Sequence, residues 1–268
     1  RKRKAMPERL LDLKIEDFAH PDDTAAMRSL TKIKALDKAM SAIEDRTYRL
    51  YLRMDTLGNC VRLTRDNAPD ICAIVEDVCE ILNYAPIPEL YSTRSYKLDI
   101  LPRGVDRPVL IIPDFILNRY DKALLYFDFG RAITRLKSGY MKFYTAASAL
   151  ISVTDEVPFV SETVKLSFAN WLRKSELTAD RGGLLACQNY RAAMSFLMNK
   201  AGMPVQENRT VQITEYVESC KIDRQLVKFG KNIQTLTNCT GWANDRILEL
   251  FNWNATGQYD ELLERYLG

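Results

Sequence analysis

DKALLYFDFGRAITRLKSGYMKFYTAASAL, residues 121–150, is the stretch on which the reading of the chain turns. Its apolar residues Leu125, Phe129, Ile133, Leu136, Tyr140, Phe143 and Ala147 recur every three or four positions, the period of one face of a long amphipathic helix. That face is expected to be core. The adjoining face carries Phe127, Asp128, Arg131, Thr134, Arg135 and Ser138. A helix returns positions i and i+4 to one side, so Phe127 and Arg131 stand one turn apart.

Outward from this stretch, 268 residues with 47% hydrophobic content suffice for one large domain, or for a domain with an added helical layer. The net charge of +3 is mild, and no long run of Lys and Arg is interleaved with aromatics, so nucleic acid is not expected as a partner. No apolar run approaches the roughly 20 residues of a membrane helix. The chain therefore reads as soluble and cytoplasmic, with membrane association only through a segment outside it. The start Arg1-Lys2-Arg3-Lys4 reads as a solvated basic end, or as the cytoplasmic flank of such a segment.

Six cysteines lie scattered without a C-x-x-C pair, as expected of reduced structural thiols. His20 is the single histidine, placed before Pro21-Asp22-Asp23 and far in sequence from the central stretch. No Ser-His or Cys-His pair is expected, and no P-loop, G-x-S-x-G or G-x-G-x-x-G occurs.

Taken in order, Asp22-Asp23 are expected to cap a helix whose stripe of Met27, Leu30, Ile33, Met40 and Ile43 continues to about Met54. This gives a helical extension over residues 1–66, followed by the main unit over 67–268. Asn67-Ala68-Pro69-Asp70 opens a helix facing inward with Ile71, Ile74, Val75, Val78, Ile81 and Leu82. Residues 89–93, 96–101 and 109–112 are β-prone runs broken by Pro102-Arg103-Gly104 and Arg107-Pro108, predicting a small meander of about three strands.

Beyond the central stretch, Val164, Phe168, Trp171 and Leu172 predict a helix running toward Gly182-Gly183. Glycine inside a helix costs up to about 1 kcal/mol relative to alanine, so this pair marks either close helix packing or a simple break. Leu184, Leu185, Met194, Leu197 and Met198 form a further stripe, and two later helices carry Ile213, Val217, Leu226 and Phe229, then Ile247, Leu250 and Phe251. The fold class is α+β, mostly helical with a small sheet.

Three blocks resemble the HtpX and CAAX prenyl protease family of gluzincin metallopeptidases. Residues 123–131, followed by Lys137-Ser138-Gly139-Tyr140, resemble A-x-L-x-H-E-L-G-H followed by K-x-G-H, with Phe127, Asp128 and Arg131 standing for His, Glu and His. Residues 176–184 resemble the intact E-x-x-A-D-R-x-G-L helix, which in the family supplies the third zinc ligand at the position of Glu176 and a supporting carboxylate at Asp180. Residues 240–247 resemble H-P-x-x-x-x-R-I, keeping Arg246 and Ile247 but showing Thr240 for His. The resemblance implies a zincin-like fold, extended substrate held along a sheet edge, and a prokaryotic cytoplasmic or membrane-adjacent setting. The Asn-Ala pair typical of the family's loop before its last strand is not found around Leu98-Asp99-Ile100.

The candidate site is thus Phe127, Asp128, Arg131, Glu176, Asp180, Thr240 and Arg246, with no zinc and no other cofactor expected. Carboxylates beside a lost dication need another positive charge. Arg131 is expected to take the metal's place and pair with Glu176 or Asp180, with Phe127 filling the first ligand's volume and Arg246 joining; the alternative is Arg131 in solvent and Glu176 paired locally. The functional expectation is a catalytically inactive metallopeptidase homologue that binds a protein or peptide through the inherited cleft. The alternative is a metal-independent enzyme whose acid–base chemistry falls to carboxylates such as Asp128 and Glu176.

Overall fold

The structure is a computed structural model and describes residues 7–33, 40, 54, 58–94, 99–104, 107–152, 162–203, 213–227 and 243–267. The helix expected to run from Asp22 to about Met54 does not do so unbroken: it ends at Leu30 with Thr31 as its C-cap, and beyond Ile33 only Met40 and Met54 of that stretch are described; residues 96–98 of the expected strand and the candidate Thr240 lie outside the described residues. In chain order the elements used below are α1 (Pro21–Leu30), β1 (Val61–Leu63), α2 (Pro69–Ile81), β2 (Glu89–Thr93), β3 (Leu101–Arg103) and β4 (Val109–Pro113). Then follow α3 (Asp114–Arg119), α4 (Lys122–Lys137), α5 (Met141–Ser152), α6 (Glu162–Cys187), α7 (Tyr190–Lys200), α8 (Ile213–Val227), α9 (Ala243–Ala255) and α10 (Gln258–Leu267). The architecture is α+β, dominated by helices around a small mixed sheet.

α4 is the centre of the molecule. Asp121 caps it, its carboxylate accepting the Leu124 N–H at 2.9 Å. Every residue from Leu124 to Leu136 is buried, not only the apolar stripe, because α2, α6, α7 and β3 pack around the helix. The single helix expected over 121–150 is two: Gly139 adopts φ +75° just past the Ser138 C-cap, ending α4 before α5 begins at Met141. A glycine in the left-handed region at that position is a common helix stop.

The crossing of α4 and α6 explains Gly182-Gly183 as close packing. A Cβ on Gly183 would lie 2.8 Å from the backbone oxygen of Phe127, and one on Gly130 would lie 2.4 Å from the Ala186 Cβ. At Gly182 it would meet Thr134 Oγ1 at 1.7 Å. Only hydrogen fits, and the two backbones approach accordingly.

The sheet has the order β1-β2-β4-β3, four strands where about three were expected. It is not a meander: β2 and β4 run parallel, with Glu89 opposite Val109 and Ser92 opposite Ile112, while β1 and β3 flank them antiparallel. β3 is an edge with Pro102 at its centre, opposite Leu110, so this edge lacks one amide donor. Leu90, Leu110 and Ile112 are buried on the main core with the α2 residues Ile74, Val75, Val78 and Ile81. α2 begins at Pro69 as its sequence predicts.

Leu10, Leu13 and Phe18 also enter this core. A second, smaller cluster joins Met27 and Leu30 of α1, Ala146 and Ala147 of α5, and Val164, Phe168 and Trp171 of α6. The cap of α1 is His20, not Asp22 or Asp23: its Nδ1 accepts the Asp22 N–H at 3.1 Å. Asp23 is buried instead against α6, where it is worth more as an acceptor for Trp171 and Thr178. Cys60, Cys72, Cys79, Cys187 and Cys220 are free thiols, and among the described residues no helix is long and apolar enough to cross a membrane.

Candidate functional site

The i, i+3 and i, i+4 geometry of α4 puts Asp128, Arg131 and Arg135 on the side facing α6, which answers with Glu176 and Asp180 one turn apart. The glycine crossing brings these rows within hydrogen-bonding reach. Arg131 is wholly buried and spends its guanidinium on four carboxylates. Its Nε donates to Asp180 Oδ1 at 2.9 Å and its Nη2 to Glu176 Oε2 at 2.5 Å. Its Nη1 donates to Asp99 Oδ1 at 2.9 Å and to Asp128 Oδ1 at 3.2 Å. The expected pairing therefore holds with both acids, and the solvent-facing alternative does not.

Three further cations complete the cluster. Arg246, projecting from α9, grips Asp180 and lies 3.3 Å from Glu176 Oε2 through Nη1. Arg135 Nη2 donates to the other Glu176 oxygen. Lys200, the last residue of α7, lies 2.9 Å from Asp99 Oδ1 in an ion pair. Four cations and four carboxylates thus meet in one enclosed volume, with Asp128 Oδ2 and Arg135 Nη1 left without a partner. Asp99 and Glu176 are the most exposed members, their side chains 24% and 12% exposed.

Phe127 sits beside the cluster, fully buried, its ring 4.9 Å from that of Phe196; the Arg131 guanidinium lies 5.3 Å from the same Phe196 ring. The place of the family's first ligand is therefore filled by hydrocarbon.

Burial and charge oppose one another throughout. Burial alone would raise the Glu176 carboxyl, but Arg135, Arg131 and Arg246 hold it down to about 2. Burial likewise works against ionised Asp99, yet Arg131 and Lys200 keep it well below the usual carboxylate range. At Asp128 burial wins, pushing the carboxyl up to about 6 against the pull of Arg131 and Lys200. Burial also lowers the Lys200 ammonium, with Asp99 and Asp128 opposing it. Arg131 is held charged well above its ordinary range by Glu176, Asp99, Asp180 and Asp128, which together outweigh its burial.

Zinc needs nitrogen, oxygen or sulfur donors with free lone pairs. Phe127 has none, Arg131 is itself a cation, and both Glu176 oxygens are taken by guanidinium groups. The residues do not fit the metal that the resemblance implies. Among the described residues, no group of three or more His, Cys, Asp or Glu side chains is arranged to hold a metal ion.

The chain is 24% identical over 277 aligned residues to the plastoglobule-localized metallopeptidase 48, chloroplastic, of Arabidopsis thaliana, covering 98% of this chain and 79% of that protein. The chain is a distant homologue of a metallopeptidase. No family model and no solved structure matches it. The chloroplast address is the relative's own.

Six of the seven sequence-derived candidates, Phe127, Asp128, Arg131, Glu176, Asp180 and Arg246, come together here, and Thr240 lies outside the described residues. Sequence reading missed Asp99, Arg135 and Lys200. Arg135 was detectable as a second arginine one turn beyond Arg131 on the same face. Asp99 and Lys200 carry no local signal, since each reaches the cluster only through the tertiary fold. His20 was expected to be remote from the blocks, yet its N–H donates to Thr178 Oγ1 at 3.0 Å, on α6 between Glu176 and Asp180 in sequence.

Proposed function

We propose that this chain is a metallopeptidase homologue of the HtpX and CAAX prenyl protease type that no longer performs metal-dependent hydrolysis and instead holds a protein or peptide. The observation that carries the reading is the seat of Arg131, whose guanidinium bonds Glu176, Asp180, Asp99 and Asp128 at the position matching the second zinc ligand. A fixed cation there neutralises the carboxylates but brings no activated water to an amide carbon. The holding surface in this reading is the outer edge of β3, close in sequence to Asp99, whose side chain is 24% exposed. An extended segment laid there is bound through main-chain contacts and side-chain pockets. In the same reading residues 1–66 form an extension to a peptidase-like unit over 67–268, acting in the cytoplasm.

The carboxyl of Asp128, raised to about 6, favours a second reading as a metal-independent acid–base enzyme. Its complete burial weighs against that role, because a substrate atom has no route to it.

Elemental analysis of protein produced with zinc in the medium tests the first reading, alongside the triple variant Phe127→His, Asp128→Glu, Arg131→His. The expected result is zinc far below stoichiometric in the unaltered chain and about one zinc per chain in the variant, the three-ligand site with its open fourth position being restored. Stoichiometric zinc in the unaltered chain, or chelator-sensitive peptide cleavage by it, overturns the proposal. An array of extended peptides tests the holding role: peptides are expected to be bound and recovered uncleaved, and an array on which none is retained refutes it.

A further inference from the structure

His20 does something for which Asp or Asn is the ordinary choice. As the N-cap of α1 it accepts the Asp22 N–H with Nδ1 at 3.1 Å, so Nδ1 presents a lone pair and the single ring proton sits on Nε2. Nε2 lies 3.5 Å from Glu249 Oε2 on α9. The ring is enclosed, 7% exposed.

A second proton has one place to go. On Nδ1 it replaces the lone pair with an N–H that faces the Asp22 N–H, so the cap is lost, and a cation then sits at the helix end where the peptide dipoles disfavour it. Glu249 is a counter-charge on the Nε2 side only. From α1 itself Asp22 and Asp23 face the ring region. Asp22 is already paired with Lys174 of α6 at 2.6 Å, and Asp23 is bonded to Trp171 Nε1 at 3.1 Å and Thr178 Oγ1 at 2.5 Å. Arg181 of α6 donates instead to the carbonyls of Phe18 and Ala19, with its guanidinium 4.9 Å from the Trp253 ring. Glu176 of α6 also bears on Asp23, raising its carboxyl. Among the described residues, the one hydrogen-bond partner seen at Nδ1 is the Asp22 N–H, a donor.

We propose that His20 is a proton-operated latch that fastens the first turn of α1 to α6 and α9 near neutrality and lets it go on acidification. The turn it holds carries Asp23 into its bonds with Trp171 and Thr178, and the later turns of α1 place Met27 and Leu30 in the cluster with Phe168 and Val164. Opening the first turn releases Asp23 from Trp171 and Thr178 on α6. The latch is independent of whether the arginine cluster binds anything.

His20 is the only histidine, so its imidazole signals are unambiguous in nuclear magnetic resonance spectra. The ring nitrogen shifts near neutral pH are expected to report the Nε2–H tautomer; the Nδ1–H tautomer overturns the proposal. Hydrogen exchange of the peptide covering α1, corrected for intrinsic rates, is then followed from about pH 8 to about pH 5. Opening in the unaltered protein is expected to increase about 2- to 30-fold toward acid, the range set by losing one N-cap. His20→Asn, which caps without titrating, is expected to abolish that increase, and His20→Asp serves if the asparagine variant folds poorly. Asp23→Asn is expected to keep it, separating His20 from the neighbouring carboxyl. The same acid-dependent opening with and without His20 refutes the latch.

Discussion

Arg246 grips Asp180 with two parallel bonds, Nε on Oδ2 at 2.7 Å and Nη2 on Oδ1 at 2.6 Å, tying α9 to α6 across the buried cluster. Because Asp180 also accepts from Arg131, removing it takes a buried partner from two guanidinium groups at once. Asp180→Ala is expected to cost about 3–5 kcal/mol, read as a fall in the urea midpoint. The double change Asp180→Leu, Arg246→Met is expected to cost less than the sum of the single changes, because it removes both charges of the pair. Strict additivity refutes the coupling.

The α4–α6 crossing predicts that alanine is harmful where helix propensity favours it. Gly183→Ala gains up to about 1 kcal/mol in propensity. It nevertheless drives a methyl to 2.8 Å from a backbone oxygen that cannot swing away, so a net loss of about 1–3 kcal/mol is expected in thermal or urea unfolding. Gly182→Ala is expected to be partly rescued by Thr134→Ala. That change removes the atom at 1.7 Å but leaves the Thr134 Cβ at 2.8 Å.

Stability against pH should show two opposing contributions. The Glu176 carboxyl lies below its ordinary value of 4.5, so its contribution is full above that value and is lost as pH falls toward about 2. Asp99 acts in the same direction. Asp128 has the opposite sign: its carboxyl is raised from 3.8 to about 6, so ionising it penalises the folded state increasingly between those values. Asp128→Asn is therefore expected to remove a downward slope of unfolding free energy over that window while leaving the acid limb intact. An unchanged slope sinks the assignment.

Phe127→His alone is expected to bind no zinc while Arg131 remains. Calorimetric titration should show uptake only after Arg131 is also changed to histidine, since a new ligand cannot recruit a dication into a seat already held by a cation. Zinc binding by the single variant contradicts this.

The parts of the fold legible in the sequence are those that local chemistry dictates. Pro69 opens α2, and Gly182-Gly183, which in sequence marked either close packing or a break, sits at a close crossing. Arg131 with Glu176 and Asp180 was legible because helical spacing gives each pair a face and a buried carboxylate needs a cation. The parts that were not legible depend on distant partners. β1 is three residues long with a charged centre, and its pairing with β2 is a tertiary fact. The parallel β2–β4 pair leaves no trace in alternation. Gly139 was read through as helix because the apolar period continues on its far side in Tyr140 and Phe143. His20 hid because its partners, Thr178 and Glu249, lie well over a hundred residues away in sequence.

The equal number of opposite charges packed around Arg131 also shapes how any partner arrives. Charges so intimately compensated cast little potential beyond a Debye length of about 8–10 Å, and salt has little left to screen. On the proposed reading, a protein docking beside Asp99 would be neither drawn in nor turned away from afar by this cluster.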